Sequence, residues 1–338
     1  MSHPQTVIRV PYKHVNGVGI PTDIHFSAEA LAASRRQQAP VLLIFHGGGF
    51  TVGEASMNNR DQIQDCSDRG WMVLSAEYRL CPGVNVLDGP MTDARDLLNW
   101  AQTGGLEDAL RGSGQSVLPD PKRVMAMGTS SGGHLALTLA WDVSNPPIAI
   151  LDFYGPTNFS DRFWTQPIPQ IQSKLPNVIP KNLFERVCKD TTIFTGGMSL
   201  EGQSEKRSDG PPKPNFEDPR VLLLFSSIGN GKMLDLMWPS YPNGQDRIDP
   251  YHNVNHSWPA TAIVHGTADF MVPIHLSRQL HERLTRMSIP TKLFEVEGEP
   301  HTFVGMMKKG SRTWDQQRKG FDFLAEVLQQ TYDETPCA

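Results

Sequence analysis

The chain has 338 residues, a formal net charge of −5 and a pI near 6.1, with acidic and basic residues mixed along its length. That length suits one large α/β domain with an insertion, or two small domains, and it allows a full sheet to be buried under helices on both faces. No basic stripe stands out, which argues against nucleic acid or an anionic membrane as partner, and the apolar runs are strand-length, far short of a membrane span.

The opening Met1-Ser2-His3-Pro4-Gln5 lacks the charged and apolar regions of a signal peptide, and Cys337 stands second-last, outside a prenylation box. The four cysteines, Cys66, Cys81, Cys188 and Cys337, are widely spaced, with no Cys-x-x-Cys pair and no histidines at zinc spacing. They read as reduced thiols in a cytoplasmic protein that needs no metal and no cofactor.

Residues 6–12 (TVIRVPY) and 20–26 are extended runs around Asn16-Gly17, a hairpin signal. Residues 41–45 (VLLIF), 71–76 (WMVLSA) and 123–127 (RVMAM) are short continuous apolar runs, as expected of strands buried on both faces. Between them, Ala94, Leu97, Leu98 and Ala101 repeat at helical spacing. An apolar helix over 133–141 and a strand over 148–153 come next, and this alternation predicts a parallel sheet with right-handed crossovers. Periodicity then breaks from about residue 155 to 250. Within that stretch, 196–219 is polar and rich in Gly and Pro, which predicts a loop, while 221–225 and 233–237 are apolar enough to pack. Order returns with a strand over 260–264, a helix presenting Leu276, Leu280 and Leu284, a last strand over 292–296, and a long helix over 311–331 that Ser311 caps.

Gly128-Thr129-Ser130-Ser131-Gly132-Gly133 lies between a predicted strand and a predicted helix, the context that gives Gly-x-Ser-x-Gly its meaning. A nucleophile there projects from a tight turn, and the residues two before and two after it must be small. The glycine spacing selects Ser130 over the competing hydroxyl of Ser131. His46-Gly47-Gly48-Gly49-Phe50 also follows a buried strand, and consecutive glycines let backbone N–H groups face a ligand. Acyl transfer needs such donors where negative charge develops; losing one costs about 3–4 kcal/mol of barrier. The Ser131 N–H would complete the hole.

Asp269, in His265-Gly266-Thr267-Ala268-Asp269, follows the 260–264 strand and is the candidate acid; Glu295, Glu297 and Glu299 are nearby rivals. His301, in Glu299-Pro300-His301-Thr302-Phe303, follows the last strand and is the candidate base. The order Ser, Asp, His is that of α/β-hydrolases. His46 reads as an organiser of the glycine turn and His265 as a strand-end residue, neither required as base.

With HGGGF, GTSSGG, HGTADFMVP and EPHTF in order, and Tyr78-Arg79-Leu80-Cys81-Pro82 with Asp93 between them, the chain resembles the hormone-sensitive-lipase-like (α/β-hydrolase fold-3) esterases over about residues 36–310. The resemblance implies an α/β-hydrolase fold: a mostly parallel central sheet flanked by helices, with a cap inserted between nucleophile and acid. It assigns Ser130, Asp269 and His301 to a triad and the N–H groups of Gly48, Gly49 and Ser131 to the oxyanion hole. Three features depart from the pattern. Thr129-Ser130-Ser131 replaces the usual Asp-Ser-Ala, Cys81 and Gly83 replace Ala and Glu, and the short N-terminus resembles that of fungal pathway hydrolases and kynurenine-formamidase-like enzymes.

The expected division is therefore a core over 1–154, a cap over 155–250 containing the 196–219 loop, and a returning core over 251–338. Phe50 and Trp238 are candidate substrate-binding residues, with Phe159, Phe163 and Trp164 as further aromatics of the insertion. The expected activity is hydrolysis of a small-molecule carboxylic ester: short-acyl, acetylated or lactone, a secondary metabolite among the options. Three alternatives stand beside it: an amidase of arylformamidase type, release or cyclisation of a carrier-bound thioester, and a non-catalytic binding protein on the same fold. No nucleic-acid partner and no membrane span is expected, and the resemblance leaves a homodimer as an option.

Overall fold

The computed structural model describes residues 3–189, 214–305 and 309–334. Eight strands form one sheet in the order β1-β2-β4-β3-β5-β6-β7-β8. β1 (Thr6–Val15) and β2 (Val18–Phe26) are the hairpin, turning at Asn16-Gly17, where both residues have positive φ. β2 also runs antiparallel to β4 (Met72–Ala76). From β4 onward every pairing is parallel, through β3 (Ala39–Phe45), β5 (Pro119–Thr129), β6 (Ala149–Phe153), β7 (Ala260–Gly266) and β8 (Thr291–Val296).

The continuous apolar runs are the central strands because both faces of each are covered. Leu43 and Leu74 pack with Leu97, Leu98 and Leu135 on one face of the sheet, while Leu42, Val73 and Met127 pack with Phe321 and Leu324 on the other. Each such side chain fully removed from water contributes about 1.5–3 kcal/mol before the entropy of ordering is counted. Helices α1 (Ala28–Ser34), α2 (Arg60–Asp68), α3 (Thr92–Gln102), α4 (Gly105–Gly112) and α5 (Ser131–Leu137) belong to the first half. Helices α11 (Ile274–Arg286) and α12 (Arg312–Asp333) complete the second half. Ser311 caps α12 as expected, its hydroxyl accepting from the Trp314 N–H.

Between β6 and β7 the described residues form short helices: α6 (Pro169–Gln172), α7 (Leu183–Cys188), α8 (Pro219–Gly229), α9 (Met233–Met237) and α10 (Pro250–Asn253). The loop expected over 196–219 falls mainly outside the described residues. Its far end is corrected: Pro219 opens α8, with Asp218 as N-cap accepting from the N–H groups of Arg220 and Val221. Proline suits the first helical position because its missing N–H has no intrahelical partner to lose. Cys66, Cys81 and Cys188 are free thiols, and Cys337 lies outside the described residues. Among the described residues, no helix is long and apolar enough to cross a membrane.

The order of the sheet positions the site. β3, β5, β7 and β8 run parallel, so the loops leaving their carboxyl ends open at one edge, where open α/β sheets bind ligands. His46-Gly47-Gly48-Gly49, Ser130, Asp269 and His301 stand on those four loops.

Candidate active site

Ser130 has φ 53° and ψ −122°, a sparsely populated conformation for a residue with a side chain. The surroundings hold it there. Its N–H donates to the Phe153 carbonyl at 2.8 Å, and the chain enters α5 at the next residue. The flanking glycines are sterically required: a Cβ on Gly128 would stand 2.1 Å from the Gly132 carbonyl oxygen, and one on Gly132 would stand 2.1 Å from that of Phe45. Ser131 is the first helical residue of α5, so its N–H belongs to the turn without intrahelical acceptors.

His301 reaches this turn from the loop after β8. Its Nε2 lies 3.0 Å from Ser130 Oγ and its Nδ1 2.6 Å from Asp269 Oδ2. A carboxylate only accepts, so Nδ1 carries a proton and Nε2 is left to accept from the serine hydroxyl. Tyr154 stands edge-on to the imidazole at 4.9 Å. Asp269 Oδ1 accepts from the N–H groups of Met271 and Val272, both at 2.9 Å. Burial alone would raise this carboxyl. The charge of His301 and hydrogen bonds from His265 and His301 outweigh burial, holding the carboxyl well below its ordinary range.

The glycine loop after β3 is equally constrained. Gly48 has φ +115°, and a Cβ there would stand 2.1 Å from the Val52 carbonyl oxygen. Gly49 has φ +57°, with Leu224 of α8 against its α-carbon. His46 donates from Nδ1 to the Gly47 carbonyl at 2.7 Å, and its ring stacks on Tyr78 at 4.2 Å. Burial lowers its pKa to about 4, so this histidine braces the loop as a neutral ring. Arg220 reaches across from α8, donating to the Thr51 carbonyl at 3.1 Å and the Cys81 carbonyl at 2.9 Å.

One cavity joins these parts. It holds about 710 Å³ of empty space, counting its open mouth, and is lined by Gly48, Gly49, Phe50, Ser130, Ser131 and His301 from the core. Phe159, Phe163, Trp164, Ile168, Met233 and Met237 close it from the insertion. The structure thus brings together Ser130, Asp269, His301, Gly48, Gly49, Ser131 and Phe50. It places Trp238 elsewhere: the indole N–H donates to the Asn243 carbonyl at 2.8 Å, the Arg247 guanidinium lies 5.8 Å from the ring, and the residue is not among the cavity's lining. Its apolar neighbourhood in sequence is a packing signal. The true lining from that stretch is Met233 and Met237, whose i, i+4 spacing on α9 sets both on one helix face.

His265 is the strand-end residue the sequence suggests, but its contact with the candidate acid was not anticipated. Fully buried at the end of β7, it lies 3.2 Å from Asp269 Oδ2, so two imidazoles share one carboxylate oxygen. The sequence carries no signal of this contact, because the chain passes from strand to turn over residues 265–269, where a four-residue spacing does not imply adjacency.

Comparison with known proteins agrees with this fold. A family described as alpha/beta hydrolase fold matches residues 42–173, and the prolyl oligopeptidase family matches residues 233–331. Esterase 2 of Thermogutta terrifontis superposes with a TM-score of 0.57 in its apo form, at 20% identity over 98% of this chain and 97% of that one. Its butyrate-bound form gives 0.59 over 98% and 96%, again at 20% identity. Among curated proteins, the non-reducing polyketide synthase pkbA of Emericella nidulans is 27% identical over 94% of this chain. The non-reducing polyketide synthase Preu6 of Preussia isomera is 30% identical, also over 94%. The chain spans 14% of the length of each of these two relatives. The resemblance drawn from the motifs agrees with these findings: the family match over residues 42–173 and the superposition both give an α/β-hydrolase fold.

Proposed function

We propose that this α/β-hydrolase works as a serine hydrolase through an acyl-enzyme on Ser130. The observation that carries the reading is the continuous chain from Ser130 Oγ to His301 at 3.0 Å and on to Asp269 at 2.6 Å, opening into an apolar cavity. Ser130 Oγ attacks the carbonyl carbon while His301 Nε2 takes its proton. Asp269 holds Nδ1–H and stabilises the imidazolium. The N–H groups of Gly48, Gly49 and Ser131 receive the oxyanion. His301 then protonates the leaving group, and water, deprotonated by the same nitrogen, frees the acid. All of these steps use groups of this chain and water.

The predominantly apolar lining favours an uncharged acyl or alcohol portion, so a small carboxylic ester is the substrate class we assign. A second reading has its own support. Proteins named non-reducing polyketide synthases match nearly the whole chain, which favours release of an acyl group from a carrier-bound thioester, with sulfur as leaving atom.

A panel of p-nitrophenyl esters from acetate to long chains, N-formylkynurenine, and acyl thioesters on N-acetylcysteamine and on a carrier protein separates these readings. The ester reading expects the highest kcat/KM on one of the p-nitrophenyl esters, lost in Ser130→Ala. Turnover confined to thioesters would transfer the assignment to acyl release, and turnover confined to the formamide would transfer it to an amidase.

A further inference from the structure

Asp269 is held by more donors than orienting one imidazole requires. Oδ1 takes two backbone N–H groups, from Met271 and Val272, and Oδ2 takes His301 and His265. The second imidazole is itself fixed at three points. His265 Nε2 lies 2.8 Å from the Val272 carbonyl oxygen, which only accepts, so Nε2 carries a proton that it shares between that oxygen and Asp269 Oδ2 at 3.2 Å. On the far side, Nδ1 meets the Ser277 hydroxyl of α11 at 2.7 Å. His265, Ser277 and the Asp269 side chain are all fully buried. A path of hydrogen bonds therefore runs from α11 through Ser277, His265, Asp269 and His301 to Ser130.

We propose that His265, braced by Ser277, is a positioning residue for the reaction: it fixes the Asp269 carboxylate in the orientation that orders His301. The inference rests on the serine-hydrolase reading above and extends it to a residue that touches no substrate. Its bond to Oδ2 also moderates the acid. A carboxylate oxygen that already accepts from His265 pairs less strongly with an imidazolium than one whose only side-chain donor is His301. The other groups around the pair are Tyr154, which stands edge-on to both rings, and Glu295, paired across from His265 in β8. Glu295 is itself engaged by Arg278 of α11 at 2.7 Å.

Three variants test this with p-nitrophenyl acetate across the pH range. His265→Leu removes the donor, His265→Gln restores one of similar reach, and Ser277→Ala removes the brace. For His265→Leu we expect kcat to fall roughly tenfold or more with KM within about twofold, because only the ordering of the base changes. The acidic limb of kcat/KM should move up by about half a pH unit, because the unmoderated carboxylate holds the imidazolium more strongly. Ser277→Ala should shift the limb in the same direction by less, and His265→Gln should recover most of both quantities.

A residue that merely tied β7 to α11 would lower the amount of active protein and leave the limb in place. An unshifted limb in Ser277→Ala, together with a kcat per active site in His265→Gln lowered tenfold or more, would overturn the proposal even where His265→Leu fails to fold. The parent reading fails separately, through ester turnover that survives Ser130→Ala.

Discussion

The sheet edge and the insertion above it share one cavity but meet opposite demands. At the edge, position is set by backbone that admits few alternatives: Ser130 at φ 53°, Gly48 at φ +115°, and glycine contacts that leave no room for a methyl group. In the insertion, the lining is mostly apolar side chains on short helices and turns, such as Phe159, Trp164, Met233 and Met237. Proton transfer and oxyanion binding are directional and need particular residue types at fixed spacings. An apolar wall needs only volume and exclusion of water, which many sequences supply. The two regions meet where Leu224 packs on Gly49 and Arg220 holds the Thr51 and Cys81 carbonyls, so the insertion also steadies the glycine loop.

Substitutions at the edge should therefore cost far more than substitutions in the wall. The largest effect is expected for Gly128→Ala, because the added carbon would stand 2.1 Å from the Gly132 carbonyl oxygen. Either the turn distorts or β5 shifts; kcat/KM should fall by about a thousandfold with a lowered Tm, as expected when a group at the reacting centre is displaced by an ångström or so. Activity within a few-fold of the parent would contradict the rigid-edge picture.

Asp152, on β6 beside the same turn, gives the next effect. Burial pushes its carboxyl up to about 7, partly offset by the Gly155 N–H, while Oδ2 is buried without a partner among the described residues. A carboxyl whose folded pKa is raised costs stability as pH climbs from its unfolded value, near 4, to its folded value, and the cost then stays constant. Asp152→Asn should thus stabilise the fold at pH 8 by about 2–4 kcal/mol and change little at pH 4. Denaturant midpoints at the two pH values measure the difference, and equal shifts would assign Asp152 no charge-dependent cost.

In the wall, Phe159→Ala should alter the preference between short and long acyl chains by about tenfold, the scale of one or two methylenes, with little loss on the favoured ester. The smallest effect is expected at Trp238, whose indole bonds to Asn243 and which is not among the cavity's lining; Trp238→Phe should leave kcat/KM within about twofold. A larger loss there than at Phe159 would reverse the comparison.

The same contrast explains what could be read from the sequence. The central strands are continuous apolar runs because both faces of the sheet are covered. Gly128, Gly132 and Gly48 are glycines because nothing larger fits. Such constraints leave marks on residue identity, and they carried the strands, the hairpin at Asn16-Gly17 and all four loops of the site. The insertion leaves weaker marks. Four-residue helices such as α6 are too short for a period, and an apolar residue there reads alike whether it faces a cavity, as Met237 does, or packs beside it, as Trp238 does. His265 escaped for another reason. Its partners Ser277, Val272 and Asp269 come from a helix and a turn, and only the folded path of the chain brings them to one ring.

Ser130 is the hydroxyl we assign as reactive at the meeting point of the four loops. Reaction with a fluorophosphonate followed by peptide mapping should find a single adduct, on Ser130, absent from Ser130→Ala and greatly slowed in His301→Ala. An adduct on Ser131 or another residue, or labelling undiminished in Ser130→Ala, would contradict it.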